Sequence, residues 1–229
     1  MSQGNRQDNT SVHIPYDQKP QPYHRVVADL VSRYCPEGAV TLDIGVGVGH
    51  CLALIQTKRP DVKLVGADID ENCLSITGSR VNLSQKLLLH DVADLFDGIP
   101  KYDCVVMSHS LEHMLEPARV VKEVMKIIRP GGVLVLAVPN PVRPNVIATN
   151  LLRKKNVNLG HVYAWDRSHW MNFIEVILGL KVIQYAEDYF QFPFRLSVRF
   201  PFLRPVELFL VRFFPWFAMS NIVAIRRTD

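Results

Sequence analysis

Val40-Thr-Leu-Asp-Ile-Gly-Val-Gly-Val-Gly-His50 is the stretch from which the fold can be read. Its apolar run contains Asp43, three glycines then alternate at Gly45, Gly47 and Gly49, and Cys51-Leu-Ala-Leu-Ile55 continues with helix-compatible residues. A buried strand that turns through glycines into a helix start produces this order. Glycine has no Cβ and tolerates positive φ, so the backbone can come close to a ligand there. The helix start leaves N–H groups free to face that ligand. The stretch reads as a cofactor cradle.

Outward from the cradle, apolar periodicity marks the other elements. Val26, Val27, Leu30 and Val31 give helical spacing within Tyr23–Tyr34, and Val40–Ile44 is the first strand. The helix after the glycines is expected to end near Arg59-Pro60. Lys63–Asp68 reads as a second buried strand, followed by a helix from about Glu71. Lys86–His90 reads as a third strand and Tyr102–Met107 as a fourth. Val120, Val121, Val124, Ile127 and Ile128 form one face of a helix over Pro117–Arg129, which Pro130-Gly-Gly132 ends. Val133–Val138 is a fifth strand; a helix near Arg167–Leu178, closed by Gly179, leads to a strand over Leu180–Ala186. Asn221–Arg226 is the last strand. Alternating strands and helices predict an α/β fold, a doubly wound and mostly parallel sheet of seven strands covered on both faces.

The chain has 229 residues, 48% hydrophobic and 21% charged, which fits a single domain over residues 21–229 behind a flexible tail of residues 1–20. A net charge of +4 gives little support for a nucleic-acid partner. Cys35, Cys51, Cys73 and Cys104 are scattered without a Cys-x-x-Cys pair, so neither a disulfide framework nor a cysteine metal site is expected. A polar N-terminus without a signal-peptide core, and the lack of a membrane-length apolar run, point to the cytoplasm.

A nicotinamide cradle would read G-x-G-x-x-G, whereas here the sixth position is His50. Asp43 can hold the turn and approach a cationic ligand. Asp68 closes the second strand, where a carboxylate can accept bonds from both ribose hydroxyls. With these residues the sequence resembles the class I S-adenosylmethionine-dependent methyltransferases, in particular the small ubiquinone/menaquinone-type group. Five blocks carry the resemblance: Leu42–Gly49, Val65–Ile69, His90-Asp-Val92, Ser108–His113 and Ile128–Gly132.

The resemblance covers about residues 23–187 and the last strand, and it implies a Rossmann-like methyltransferase fold whose final strand is antiparallel. It implies S-adenosylmethionine as cofactor, with Asp43, Gly45, Val46, Gly47 and Gly49 around the methionine part. Asp68 and Ile69 would meet the ribose, Asp91 and Val92 the adenine, and Ser108 and His109 the sulfonium side. The implied activity is methyl transfer to a small molecule, with oxygen as the expected acceptor atom. The acceptor is read as quinone-like, phenolic or sugar-borne, with an apolar or lipid-linked compound among the options. A non-catalytic scaffold with the same fold is the alternative, and a nucleic-acid methyltransferase a weaker one.

His109-Ser-Leu-Glu-His113 spells H-x-x-E-H, an inverted zinc-peptidase motif that requires a helix. A loop is expected after the fourth strand, so no metal site is predicted. His113 either faces the acceptor or supports the loop. Gly160-His-Val-Tyr-Ala-Trp-Asp166 supplies His161, a second acid–base candidate beside the structural reading of a loop histidine. Tyr163 and Trp165 line an acceptor pocket or pack. Pro139-Asn-Pro141 is similar to a nucleic-acid amino-methyltransferase motif but follows the wrong strand. Arg153-Lys154-Lys155 reads as a solvated helix end.

Residues 190–217 hold nine of the eleven phenylalanines, interleaved with Arg195, Arg199, Arg204 and Arg212. Prolines at 193, 201, 205 and 215 exclude one long helix. Three readings stay open for this insertion at about 189–217. It packs on the core or in a homodimer interface, it meets a membrane surface peripherally, or it forms a lid.

Overall fold

The structure is a computed structural model that describes residues 19–97, 99, 101–152 and 160–228. The expected tail, except for residues 19 and 20, and the cluster Arg153-Lys154-Lys155 lie outside the described residues.

Helix α1 (Pro22–Tyr34) precedes β1 (Val40–Ile44), and α2 (His50–Lys58) follows the glycine turn. Then come β2 (Lys63–Asp68), α3 (Glu71–Arg80), β3 (Leu83–Leu88) and β4 (Tyr102–Ser108). Next are α4 (Pro117–Ile127), β5 (Ile128–Pro139), α5 (Pro144–Leu151) and α6 (Arg167–Met171). The chain continues through β6 (Val182–Glu187), α7 (Leu196–Arg199) and α8 (Arg204–Leu210) to β7 (Ser220–Arg226).

The seven strands form one sheet in the order β3-β2-β1-β4-β5-β7-β6. β1 pairs in parallel with β2 and β4, and β5 pairs in parallel with β4. β7 runs antiparallel between β5 and β6, as the resemblance implied. Because strand side chains alternate, one sheet face presents Leu42, Ile44, Val105, Met107 and Leu134 to α4 and α6. The other presents Cys104, Val106, Val133 and Val135 to α1 and α2. The strand order reverses between β1 and β4, which opens a crevice at their C-terminal ends, directly over the glycine turn.

Two expectations need correction, and one helix was not anticipated. The third strand begins at Leu83 rather than Lys86, because it is an edge strand whose polar Ser84, Gln85 and Lys86 stay exposed while its backbone pairs with β2. The helix expected over Arg167–Leu178 is α-helical only to Met171 and then widens into a π turn, Asn172–Ile177. Helix α5 was missed because none of its residues is buried, so no apolar stripe marks it.

The aromatic insertion is built of short helical pieces, and none of its rings joins either core cluster. It runs through the turn Pro193–Arg195, α7, the turn Pro201–Leu203, α8 and the turn Pro215–Phe217, with a proline in the first turn of the last two and of both earlier turns. Proline suits a helix start but cannot continue a helix, so each piece stops before it can build a core-facing stripe. Phe194, Phe200, Phe202, Phe209, Phe213 and Trp216 remain exposed.

Candidate functional site

The glycine turn after β1 is held from three sides. Gly45, Gly47 and Gly49 all have positive φ, and a Cβ added at Gly45 would lie 2.7 Å from Ser110 Cβ. The Gly45 and Val46 N–H groups donate to the Ala67 carbonyl of β2. Thr77 Oγ1 of α3 donates to the Gly47 carbonyl at 2.8 Å. Ser110 Oγ donates to the Ile44 carbonyl at 3.0 Å, so the chain after β4 is tied to the end of β1. Val46 contributes only backbone at the turn, since its side chain is buried against the core.

Asp43 lies buried beneath this turn, and its Oδ1 has no hydrogen-bond partner among the described residues. Burial, and then the neighbouring Asp68, push its carboxyl up to about 8. Such an orphaned acid matches a cationic ligand, whose charge would favour the ionised form. Asp68 Oδ2 accepts from the Gly47 N–H at 2.8 Å and Oδ1 from the Asp70 N–H at 3.0 Å. Each oxygen keeps a further lone pair, so Asp68 can shape the turn and still accept hydroxyls. Asp70 itself caps α3 by accepting from the Asn72 N–H.

Ile69 follows with 71% of its surface exposed, an apolar side chain available to a flat ring. The Leu89 N–H donates to the Asp68 carbonyl, which brings the end of β3 beside the end of β2. Asp91 Oδ1 caps the short turn Val92–Leu95 by accepting from the Ala93 N–H at 2.8 Å. Along one crevice the structure therefore assembles Asp43, Gly45, Gly47, Gly49, Asp68, Ile69, Asp91 and Val92.

Ser108 ends β4 with its Oγ buried and lacking a hydrogen-bond partner among the described residues. His109 then adopts φ 56°, a left-handed conformation that non-glycine residues rarely take and that recurs at functional sites. Its ring stacks on Tyr23 of α1, with centroids 3.9 Å apart and an interplanar angle of 7°. His109 Nε2 lies 3.0 Å from Ser220 Oγ, and that hydroxyl donates to Asp188 Oδ2 at 2.9 Å. Burial pushes the Asp188 carboxyl up to about 6, against the bonds it accepts from the Tyr189 and Ser220 N–H groups and the Ser220 hydroxyl.

Glu112 follows in a short turn, Leu111–His113, with 1% of its surface exposed. Neither carboxylate oxygen has a hydrogen-bond partner among the described residues, and burial raises its carboxyl to about 8. Its carbonyl accepts from the N–H groups of Val162 and Tyr163, which draws the loop after α5 onto the site. The His113 and His161 rings meet edge to face with centroids 4.7 Å apart. The two catalytic candidates thus come together around the carboxylate of Glu112, which the sequence shows only as one letter of the H-x-x-E-H stretch.

Trp165 is buried against Trp170 and Phe173, so it packs; Tyr163 is exposed. Asn140 is fully buried, its amide donating to the Trp216 and Ala218 carbonyls while its Oδ1 accepts from Val142. An asparagine engaged in this way has spent both amide N–H donors on the backbone of its own chain. Tyr23, Asp188 and Ser220 escaped sequence reading because their roles arise from contacts across distant parts of the chain.

A family model described as a methyltransferase domain matches residues 19–189, well over half of the chain. A trans-aconitate 2-methyltransferase of Variovorax paradoxus is 26% identical over 117 residues, covering 51% of this chain and 45% of the relative. A protein named as a probable S-adenosylmethionine-dependent methyltransferase from Mycolicibacterium smegmatis is 30% identical over 120 residues, covering 52% and 45%. The chain spans about half the length of these curated relatives. A chain from the complex between the Haloferax volcanii Trm112 methyltransferase activator and a methyltransferase superposes with a TM-score of 0.70 at 16% identity, covering 98% of this chain and 100% of that one. That likeness speaks to the fold. Family match, strand order and crevice agree: the chain belongs to the class I methyltransferases that use S-adenosylmethionine.

Proposed function

We propose that this protein transfers a methyl group to an oxygen of a small, apolar or lipid-linked acceptor. The carrying observation is a pair of buried carboxylates with oxygens that lack a hydrogen-bond partner among the described residues, Asp43 under the glycine turn and Glu112 beside His113 and His161. Asp43, Gly45, Gly47 and Gly49 would cradle the methionine part, and Asp68 the ribose. Ile69, Asp91 and Val92 would bound the adenine, with Ser108 and His109 on the sulfonium side. The bound cofactor supplies a methyl already activated on a positively charged sulfur.

The chain's own work is positioning and proton removal. It must hold the acceptor oxygen in line with the methyl–sulfur bond while the methyl–oxygen bond forms and the old bonding pair stays on sulfur. The hydroxyl proton then passes to a base. Glu112, raised to about 8, joins His113 and His161 as a candidate for that base near neutral pH.

The exposed aromatic face favours an apolar acceptor delivered at a lipid surface. It is anchored at the site: Asn140, just after β5, holds the Trp216 and Ala218 carbonyls, and Ser220 follows shortly. Arg199, Arg204 and Arg212 are exposed among its rings, whereas Glu207 is buried and accepts from the Phe192 N–H.

Calorimetry with S-adenosylmethionine tests the cofactor reading, and a labelled-cofactor screen over phenols, quinones, carboxylates, sugars and lipid-linked hydroxyls tests the acceptor. Binding is expected, with Asp68→Ala weakening it at least tenfold through lost ribose bonds. A purified chain that does not bind the cofactor would overturn the enzyme reading in favour of a scaffold role. Unchanged affinity in Asp68→Ala would refute the ribose contact alone.

A further inference from the structure

We propose that Glu112, His113 and His161 bind a divalent first-row transition cation, with Zn2+ the best match to the ligand set. One ligand atom from each lies within 4.8 Å of the other two. His113 Nε2 stands 4.0 Å from Glu112 Oε1. Tetrahedral donors about 2.0 to 2.2 Å from one ion stand roughly 3.4 Å apart, so binding draws the three groups inward by about 1 Å. Both imidazoles are partly exposed, and they already meet edge to face.

A second, independent observation points the same way. Glu112 is buried with neither carboxylate oxygen hydrogen-bonded among the described residues. Buried carboxylates are ordinarily paired, hydrogen-bonded or metal-bound. The nearby His109 does not supply the missing proton donor. Ser220 Oγ donates to Asp188 Oδ2, so it accepts from His109 Nε2; this assigns the His109 proton to Nε2. His109 Nδ1, 4.0 Å from Glu112 Oε1, then presents a lone pair. A carboxylate facing an imidazole lone pair is an arrangement that either a proton or a cation between them resolves.

This is not the arrangement that the H-x-x-E-H motif describes. The segment forms a single tight turn, and the third ligand, His161, arrives on the loop pinned by the Glu112 carbonyl. One carboxylate and two imidazoles favour borderline ions over Mg2+ or Ca2+. Three protein ligands leave a coordination position open, where an acceptor oxygen would bind and lose its proton more readily. Cation binding itself does not depend on methyl transfer.

The test uses the full chain, stripped with a chelator and titrated with Co2+ by absorption spectroscopy and with Zn2+ by calorimetry. One tight ion per chain is expected, with Glu112→Gln and His161→Ala each weakening affinity more than about tenfold and the exposed control His169→Ala leaving it unchanged. Zn2+ is expected to raise the melting temperature of the parent but not of Glu112→Gln. Should His161→Ala fail to fold, the nearly isosteric Glu112→Gln still decides. Absence of tight binding by the parent, or parental affinity in Glu112→Gln, overturns the proposal. Cofactor calorimetry on the same preparation separates the two readings, since either ligand can bind when the other does not.

Discussion

Asp43 carries the sharpest consequence of the cradle at the residue scale. Its folded carboxyl lies at about 8 against an ordinary 3.8, raised first by burial and then by Asp68. The folded chain therefore holds a proton that the unfolded chain has released over that interval. The stability from this group is fully present below about pH 4 and is lost as pH rises through 8. Asp43→Asn keeps the shape and removes the titration. Without cofactor, the variant is expected to match the parent near pH 4 and to melt several degrees higher at pH 8.5. Cofactor affinity should fall at least tenfold. Thermal melts across pH check this, and parallel curves for the two proteins would refute a protonated Asp43. Gly45→Ala goes the other way, because φ 76° and a Cβ 2.7 Å from Ser110 Cβ leave no relaxed position for the methyl group. It is expected to lose more than about 1 kcal/mol of stability and measurable cofactor binding, as calorimetry and denaturant melts would report. Both sites were legible in the sequence, since an acid before alternating glycines is a local pattern. Glu112 was visible as a letter but not as a buried, unpartnered acid, because burial is decided by the loop that folds over it.

Three elements meet where no local pattern could announce it. The end of β4 supplies His109, the start of β7 supplies Ser220, and the residue after β6 supplies Asp188. The strands themselves could be read from apolar runs, since central strands are buried on both faces. Errors fell at the edge strand β3, the π turn after α6 and the exposed α5, where burial does not imprint a period. The Asp188–Ser220–His109 chain makes its own prediction. In Asp188→Asn the amide can donate to Ser220 Oγ, which turns the hydroxyl toward His109 Nε2 and moves the ring proton to Nδ1. Nitrogen NMR of the imidazole should show the two ring shifts exchanged. Zn2+ affinity is expected to drop about tenfold, because Nδ1 would then donate to Glu112 and compete with the ion. Unchanged ring shifts would show that Asp188 does not set the tautomer.

At the scale of the whole molecule, the insertion before β7 stands out for its exposed aromatic rings. α8 and the turns before, between and after α7 and α8 expose Phe194, Phe200, Phe202, Phe209, Phe213 and Trp216, and α5 exposes Leu151. Contiguous apolar patches of this kind mark contact with another surface rather than with water. No helix among the described residues is long and apolar enough to cross a membrane, so a lipid contact here would be interfacial. The composition fits that depth, with aromatic rings at the headgroup level and the exposed Arg199, Arg204 and Arg212 reaching lipid phosphates. The patch also adjoins the crevice through Asn140 and Ser220, so a lipid-borne acceptor would arrive close to Glu112 and His161. Flotation with vesicles containing anionic lipid is expected to carry the protein upward in low salt and to lose it as salt rises, since arginine–phosphate attraction is screened. Replacing Phe202 and Phe209 with serine should abolish flotation while leaving cofactor binding intact, because neither ring touches the cradle. If the parent stays at the bottom of the gradient in low salt and instead sediments as a dimer that the same two serines dissociate, the face joins two copies of the chain and the acceptor must reach the site from solution.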